Sequence, residues 1–410
     1  MIKVVKFGGS SLASATQFKK VKAIIEADSS RRYVVPSAPG KRDSFDEKVT
    51  DMLYACCNKI EMHQDCMAVW TAIQNRYNEI IQELNLDLNL QTEFETIWEN
   101  MHQGAGCAYA ASRGEYLNGL ILSHYLDFPF IDAAHLICFE QDGTLDSEKT
   151  NEKIQSYLAD YSKAVIPGFY GALENGKIVT FSRGGSDITG SLIARGVQAT
   201  IYENWTDVSG FLLADPRIVE DPLPIRMITY KELYELSSMG ASVLHEDAVF
   251  PVKKAGIPIQ IKNTNRPDDL GTWIVEDIIE NSNYRITGIA GKKGYIKIKI
   301  SDEYLLQFVE DHNIPTDSYT SSVLMQKNLM QQALHPHLQT TDQNIALIAV
   351  GGRDFQTRRS FSRRICRTLN AANISVKALS QGHEEFTMLI GVRDEDFENA
   401  VRVIYDYFIH

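Results

Sequence analysis

The sequence predicts an α/β protein with an open, mainly parallel sheet sandwiched by helices, followed by a smaller α+β region. Three observations carry this. Short β-branched or apolar runs alternate with helical patterns up to about residue 284, glycine-rich turns follow the ends of several of those runs, and beyond 284 short strands with period-two alternation replace the buried type. A chain of 410 residues exceeds what one core usually serves, so about two to three domains are expected. The boundary is placed near 285, dividing the chain into 1–285 and 286–410, with a final unit over about 343–410.

Bulk properties exclude some functions. A net charge of -12 speaks against a nucleic-acid binder, which needs a basic face for phosphates. No apolar run approaches the roughly 18 residues of a membrane span, and Met1–Lys6 leads into strand-like sequence with no signal-like apolar region. A cytoplasmic protein without membrane contact is expected. Six cysteines, at 56, 57, 66, 107, 138 and 366, show no paired CxxC spacing, so reduced thiols are expected as well.

The first strand, Ile2–Phe7, ends at Lys6-Phe7-Gly8-Gly9-Ser10-Ser11, and a helical face of Phe18, Val21, Ile24 and Ile25 follows. A glycine turn lets backbone N–H groups approach an anion, and a lysine beside it supplies a point cation for a phosphoryl group. The turn lacks the GxxxxGK[ST] of a P-loop, and by itself Lys6 is equally well an ordinary surface lysine. Tyr33-Val34-Val35 is a second strand, followed by the small-residue loop Pro36–Lys41. Thr50 can cap the next helix. Residues 52–102 read as helical packing sequence, with Met62, Met67 and Trp70 as core or lid residues. Arg113-Gly114-Glu115 opens a helix over 116–126, which puts Glu115 near a favourable dipole end.

Residues 128–134 and Ala164-Val165-Ile166 read as buried strands, the second leading to Pro167-Gly168-Phe169-Tyr170-Gly171. The strand Ile178–Phe181 then ends in Ser182-Arg183-Gly184-Gly185-Ser186-Asp187, with a helix starting behind it. That turn is either an anion cradle, with Arg183 as a planar fork, or only a tight turn with a capped helix. Strand 199–205 reaches Thr206-Asp207-Val208, and Asp215-Pro216-Arg217 forms a turn. A helix over 230–238, a small-residue start at Met239–Ser242 and a strand over 257–264 complete the region. In the last region, strands 286–290 and 295–300 precede a βαββα unit: strand 344–350, helix 357–372, strands 374–379 and 385–392, and helix 394–408. Arg358, Arg359, Arg363, Arg364 and Arg367 make a basic helical stripe that reads as a solvated or subunit-facing surface.

Taken in order, Lys6–Ser10, Arg113–Glu115, Pro167–Gly171, Ser182–Asp187, Thr206–Val208 with Asp215–Arg217, and Met239–His245 resemble the motifs of aspartokinases, members of the amino-acid-kinase superfamily carrying tandem ACT domains. The resemblance implies phosphorylation of the side-chain carboxylate of L-aspartate with ATP and Mg²⁺, giving 4-phospho-L-aspartate on the route to lysine, threonine and methionine. It implies Lys6, Arg183 and Asp187 as catalytic residues. Lys6, Gly8, Gly9 and Ser10 would line the phosphate path, and Thr206, Asp207 and Arg217 would contact the nucleotide. Ser37, Thr50, Glu115, Phe169, Arg183 and Ser186 would bind aspartate, with Glu115 taking its ammonium. No protein metal cage is implied, Mg²⁺ arriving on the ATP phosphates.

Departures from the pattern are equally specific. Ser242 stands where many members have a nucleotide-phosphate lysine, so Lys262, or failing it Lys253 or Lys254, is assigned the missing charge. Leu212 replaces a frequent tyrosine, and the first ACT segment, 295–327, is shortened, with Leu305–Phe308 near the place of a usual Gly-Phe. The ACT resemblance implies a lysine or threonine effector and a homodimer or tetramer. The alternatives are an amino-acid-sensing protein with a weak or inactive kinase domain, and a kinase of another acid such as glutamate. The chemistry itself needs no general base, because the nucleophile is already a carboxylate; positioning and neutralising two anions suffices.

Overall fold

The structure is a computed structural model that describes residues 1–182, 184–238, 244, 246–278, 286–299, 322–326, 339–352, 360–380 and 387–409. The chain forms two compact units, one of Met1–Gly210 with Leu244–Glu276 and one of Phe211–Val243 with Asp277–His410. The second unit therefore also takes Phe211–Val243 out of the middle of the first, and the expected boundary near 285 lies outside the described residues.

The chain begins with β1 (Lys3–Phe7), α1 (Ala15–Glu26), β2 (Arg31–Pro36), α2 (Val49–Glu61), α3 (Met67–Glu83), α4 (Gln91–His102), α5 (Gly106–Leu126) and α6 (Ser147–Leu158). It continues through β3 (Ala164–Val165), β4 (Tyr170–Ala172), β5 (Ile178–Thr180), α7 (Gly185–Gly196) and β6 (Ile201–Thr206). After β7 (Met227–Thr229) and α8 (Tyr230–Ser238) of the second unit, it returns with α9 (Glu246–Lys254), β8 (Ile259–Asn263) and β9 (Thr272–Val275). The strands of the first unit lie in the order β3-β2-β1-β6-β8-β9, parallel up to β8 and antiparallel at β9. Chain order moves outwards from β1 to β2 and β3, then resumes at β6 on the other side of β1. The β1/β6 boundary is thus a topological switch point, where the loops after neighbouring strands leave in opposite directions and open a crevice at the carboxyl edge.

One face of the sheet is covered by α1 to α5, whose apolar sides join Val5, Phe7 and Trp205 in a continuous buried cluster. The stretch read as continuous helical packing is three helices, broken at His63 (φ 55°) and Asn85 (φ 53°). Trp70 is core, whereas Met62 and Met67 are exposed. Helix α5 also starts earlier than expected, because Gly104 and Gly106 take φ of 85° and 83° and turn the chain there. Arg113, Gly114 and Glu115 therefore sit in mid-helix and are buried, not at a solvated helix start. Residues 128–134 make no strand: Phe130 only bridges Val165, and Asp132 accepts from the Ala134 N–H to begin a short 3₁₀ turn.

The second unit continues with β10 (Gly288–Lys299), β11 (Ser322–Gln326), β12 (Gln339–Gly351), α10 (Ser360–Ala371), β13 (Ala378–Ser380), β14 (Thr387–Arg393) and α11 (Phe397–Ile409). Its strands form one antiparallel sheet ordered β11-β10-β12-β14-β13. The two strands expected at 286–290 and 295–300 are one long strand, with Gly294 at φ 86° and shifted registers absorbing the break. From β12 onward the order is βαββα, with Phe361 of α10 stacked on Phe408 of α11 at 5.0 Å. Of the arginine stripe, Arg363 and Arg367 are exposed and Arg364 is half-buried; Arg358 and Arg359 lie outside the described residues, as do 305–308 and 381–386.

Candidate active site

Lys6 and Asn204 face each other in register across the β1/β6 switch point. Lys6 is nearly buried, and its Nζ lies 2.6 Å from Asp187 Oδ1 in the first turn of α7. Asn204 Nδ2 donates to the same Oδ1 at 2.8 Å, and its Oδ1 accepts from Lys6 Nζ at 3.5 Å. Tyr202, two residues back on the same face of β6, donates its hydroxyl to the Asp187 carbonyl at 3.1 Å. Its fully buried ring packs where Gly190 has no side chain; a Cβ there would be 2.5 Å from the Tyr202 hydroxyl. Asn204 escaped notice in the sequence because an amide in a strand carries no motif; only register and distance reveal it.

The backbone beside this array is closely packed. The Gly8 N–H donates to the Trp205 carbonyl at 3.0 Å, and a Cβ on Gly8 would stand 3.5 Å from the Lys6 ammonium. A Cβ on Gly9 would meet Ala38 O at 3.0 Å and Gly40 N at 3.1 Å. Ser10 lies in the 3₁₀ turn Gly9–Leu12 directly behind, which Ser11 ties to Thr264 by a 2.7 Å hydroxyl contact. Thr206 ends β6 and Asp207 follows it at the same edge, Thr206 Oγ1 donating to Asp207 Oδ1 at 3.1 Å.

The expected amino-acid residues gather around the neighbouring loops. Ser37 follows β2, and its carbonyl accepts from Asn118 Nδ2 at 2.6 Å. Thr50 and Leu53 of α2 approach α5 at Gly114, where a Cβ would be 2.9 Å from Ala38 Cβ and 3.3 Å from Leu53 Cδ1. Glu115 is fully buried; burial pushes its carboxyl up to about 8, against a hydrogen bond from the Ala38 N–H and the field of Arg113. Its Oε2 has no hydrogen-bond partner among the described residues. A buried carboxylate oxygen without a donor is costly, and a ligand cation would satisfy it. Arg113 itself is taken up by the rings of Tyr109, Tyr116 and Tyr170, at 4.8, 4.5 and 5.0 Å. Phe169 holds φ of 80°, strain of about 1–3 kcal/mol for a non-glycine residue. Its N–H donates to Thr189 Oγ1 and its carbonyl accepts from Phe181 N–H, while Gly185 fits against its ring. Ser186 presses on Gly168, whose Cβ would lie 2.6 Å from it.

Several expectations change or fall outside the described residues. Lys262 pairs in register with Trp205, so it projects from the opposite face of the sheet to Lys6. There its ammonium sits 5.2 Å from the Trp205 ring and near the buried Glu203, which Lys3 and Arg31 hold at 2.9 and 2.8 Å. Burial lowers the Lys262 pKa, and strand parity puts this lysine on the other face from Lys6. Lys254 pairs with Glu148 at 2.8 Å. Arg217 and Leu212 belong to the second unit, where Arg217 forks onto Asp215 at 2.6 Å. Arg183, Ser242 and His245 lie outside the described residues. The cysteines also differ from expectation: Cys57 and Cys107 are disulfide-bonded, while Cys56, Cys66, Cys138 and Cys366 are free thiols.

The amino acid kinase family is matched over residues 1–263, and an ACT domain over 348–408. Aspartokinase 3 of Bacillus subtilis is 33% identical across 99% of this chain and 98% of its own length. The chain belongs to the aspartokinases. The aspartate kinase of Clostridium acetobutylicum superposes with a TM-score of 0.90 at 44% identity, over 99% of this chain and all of the other. Aspartokinase III of E. coli, solved with aspartate and ADP in its R-state and with lysine and aspartate in its T-state, gives a TM-score of 0.79 at 22% identity over the whole of both chains, which speaks to the fold. As a family member this chain is an ATP-dependent aspartate kinase with an ACT-bearing regulatory region. Among the described residues no helix is long and apolar enough to cross a membrane.

Proposed function

We propose that the Lys6–Asp187–Asn204 array is the phosphoryl-transfer centre at which ATP phosphorylates the side chain of L-aspartate to 4-phospho-L-aspartate. The observation that carries this is the buried ammonium of Lys6 beside the Gly8-Gly9 turn, held from behind by Asp187. A lysine pinned at 2.6 Å cannot wander, so its charge waits where negative charge gathers on the transferring group. Gly8, Gly9 and Ser10 line the phosphate path, and the amino end of α7 adds its dipole. Thr206 and Asp207 are assigned to the nucleotide, with Arg217 and Ser242 added from the motif resemblance.

Aspartate is assigned to Ser37, Thr50, Glu115, Phe169 and Ser186, with Arg183 taking a carboxylate. Glu115 Oε2 is the oxygen suited to the substrate ammonium. No side chain has to remove a proton from the nucleophile, which is already a carboxylate, so the chain supplies alignment and charge. Mg²⁺ is assigned to the ATP phosphates, its usual mode, where it offsets phosphate charge.

The same reading includes a lysine or threonine effector, a homodimer or tetramer through the ACT region, and a cytoplasmic location. The ACT match and the lysine-bound T-state of the E. coli enzyme support the first of these. Trapping the acyl phosphate with hydroxylamine tests the function. Product from aspartate with Mg-ATP, and far less from glutamate, is expected; no product from aspartate at any lysine or threonine concentration would refute it.

A further inference from the structure

Helices α2 and α5 run antiparallel against each other, and each carries a residue assigned above to aspartate. Thr50 and Leu53 of α2 meet α5 at Gly114, next to Glu115. About 10 Å further along α2, two helical turns on, stands Cys57, and about 12 Å back along α5 stands Cys107. Their Cα atoms are 5.4 Å apart, and the two sulfurs are bonded. Glu61 Oε1 lies 3.7 Å from Cys57 Sγ and 3.6 Å from Cys107 Sγ, and Asn58 Oδ1 is 3.7 Å from Cys107 Sγ. Each sulfur therefore has an acceptor waiting should it carry a hydrogen. Cys57 is 5% exposed and Cys107 is half-buried at the second position of a 21-residue helix.

We propose that Cys57 and Cys107 form a thiol–disulfide exchange site, taking small-molecule disulfides as co-reactant, whose closure staples the two helices that wall the aspartate pocket. Cys107 is the entering nucleophile. It is the more accessible sulfur, half-buried where Cys57 is buried. Its thiolate attacks one sulfur of a small disulfide RSSR, forming a protein–S–S–R bond and releasing RS⁻. The Cys57 thiolate then attacks the Cys107 sulfur and expels the second RS⁻. Two protein thiols and one RSSR become one protein disulfide and two RSH, the protein losing two electrons that the small disulfide gains.

Selectivity follows from surroundings. Cys56, next in sequence, turns towards the Cys66 carbonyl at 4.0 Å, is fully buried, and has its thiol pushed up to about 12 by that burial. It does not meet solvent. The staple crosses one end of a contact whose other end is Thr50 and Glu115, so it limits sliding of α2 along α5. This kinetic consequence rests on the assignment of those two residues to aspartate; the exchange chemistry does not.

The test uses the full chain equilibrated with oxidised glutathione or with dithiothreitol, read by alkylation and peptide mapping and by aspartate kinetics. Expected are joint protection of Cys57 and Cys107 in the oxidised buffer, and a KM for aspartate about threefold or more higher after reduction with kcat nearly unchanged. Cys57→Ser and Cys107→Ser should hold the higher KM in both buffers, while Cys56→Ser responds like the parent. A mixed glutathione adduct that never closes, a Cys56–Cys107 link, one equivalent of zinc retained by the reduced chain, or equal KM in both buffers would each overturn the proposal. Absence of acyl phosphate in both buffers would instead overturn the kinase assignment, with the mapping still deciding the exchange.

Discussion

Replacing Asn204 by leucine removes an amide that bridges the two charged groups of the proposed centre while keeping the branched outline of the side chain. Asn204 is 3% exposed, donates to Asp187 Oδ1 at 2.8 Å and accepts from Lys6 Nζ at 3.5 Å. A hydrogen bond to a charged group contributes about 1.5–3 kcal/mol. If that bond serves to aim the Lys6–Asp187 pair at the transferring phosphoryl, its loss falls on the transition state and lowers kcat by about 10- to 150-fold. The KM for aspartate should stay within about twofold, since Asn204's side-chain hydrogen bonds go to Lys6 and Asp187. Hydroxamate-coupled rates against aspartate and ATP, with circular dichroism to verify folding, give the answer. Unchanged kcat in a folded Asn204→Leu chain would refute the positioning role. Asn204→Asp sharpens the comparison, because it sets a second carboxylate beside Asp187 and makes both compete for one lysine.

Five further outcomes follow from other parts of the first unit. Glu115, raised to about 8 by burial, is neutral at low pH, so kcat/KM for aspartate should climb as pH rises through about 8, and Glu115→Gln should flatten that limb. The same shift makes its contribution to stability largest below the unfolded carboxyl value of 4.5, and that contribution is lost as pH rises through about 8, which denaturant midpoints measured across pH will report. Gly168→Ala places a Cβ 2.6 Å from Ser186 and should raise the KM for aspartate more than that for ATP. Glu203→Gln leaves Lys3 and Arg31 facing a neutral group beneath Trp205; a loss of about 3–5 kcal/mol in denaturant stability is expected, with activity per folded molecule retained. Reduction of the Cys57–Cys107 bond, which closes a loop of 50 residues, should lower denaturant stability by about 4 kcal/mol in the chain-entropy description.

Much of the candidate site is readable without coordinates because its chemistry is local. A strand, a glycine pair and a helix start are contiguous in Val4–Leu12 and again in Ile178–Leu192, and a turn that cradles an anion must be contiguous for the backbone to approach it. What local reading misplaces is orientation. Glu115 read as a carboxylate near a helix start, yet the helix begins nine residues before it and buries it. Lys262 read as a spare cation for the nucleotide, yet its place opposite Trp205 in the register turns it to the other face.

The sequence by itself determined the α/β alternation, the glycine turns at strand ends, the change of character beyond about residue 284 and the family, since each depends on residues adjacent in the chain or on motifs in a fixed order. Only the tertiary structure decided that Asn204 joins Lys6 and Asp187, that Cys57 finds Cys107 across a separation of 50 residues, and that Phe211–Val243 packs with the second unit. Those facts depend on strand register, helix phase and which surfaces exclude water together. Such properties arise when distant segments meet, and no local window of sequence contains both partners.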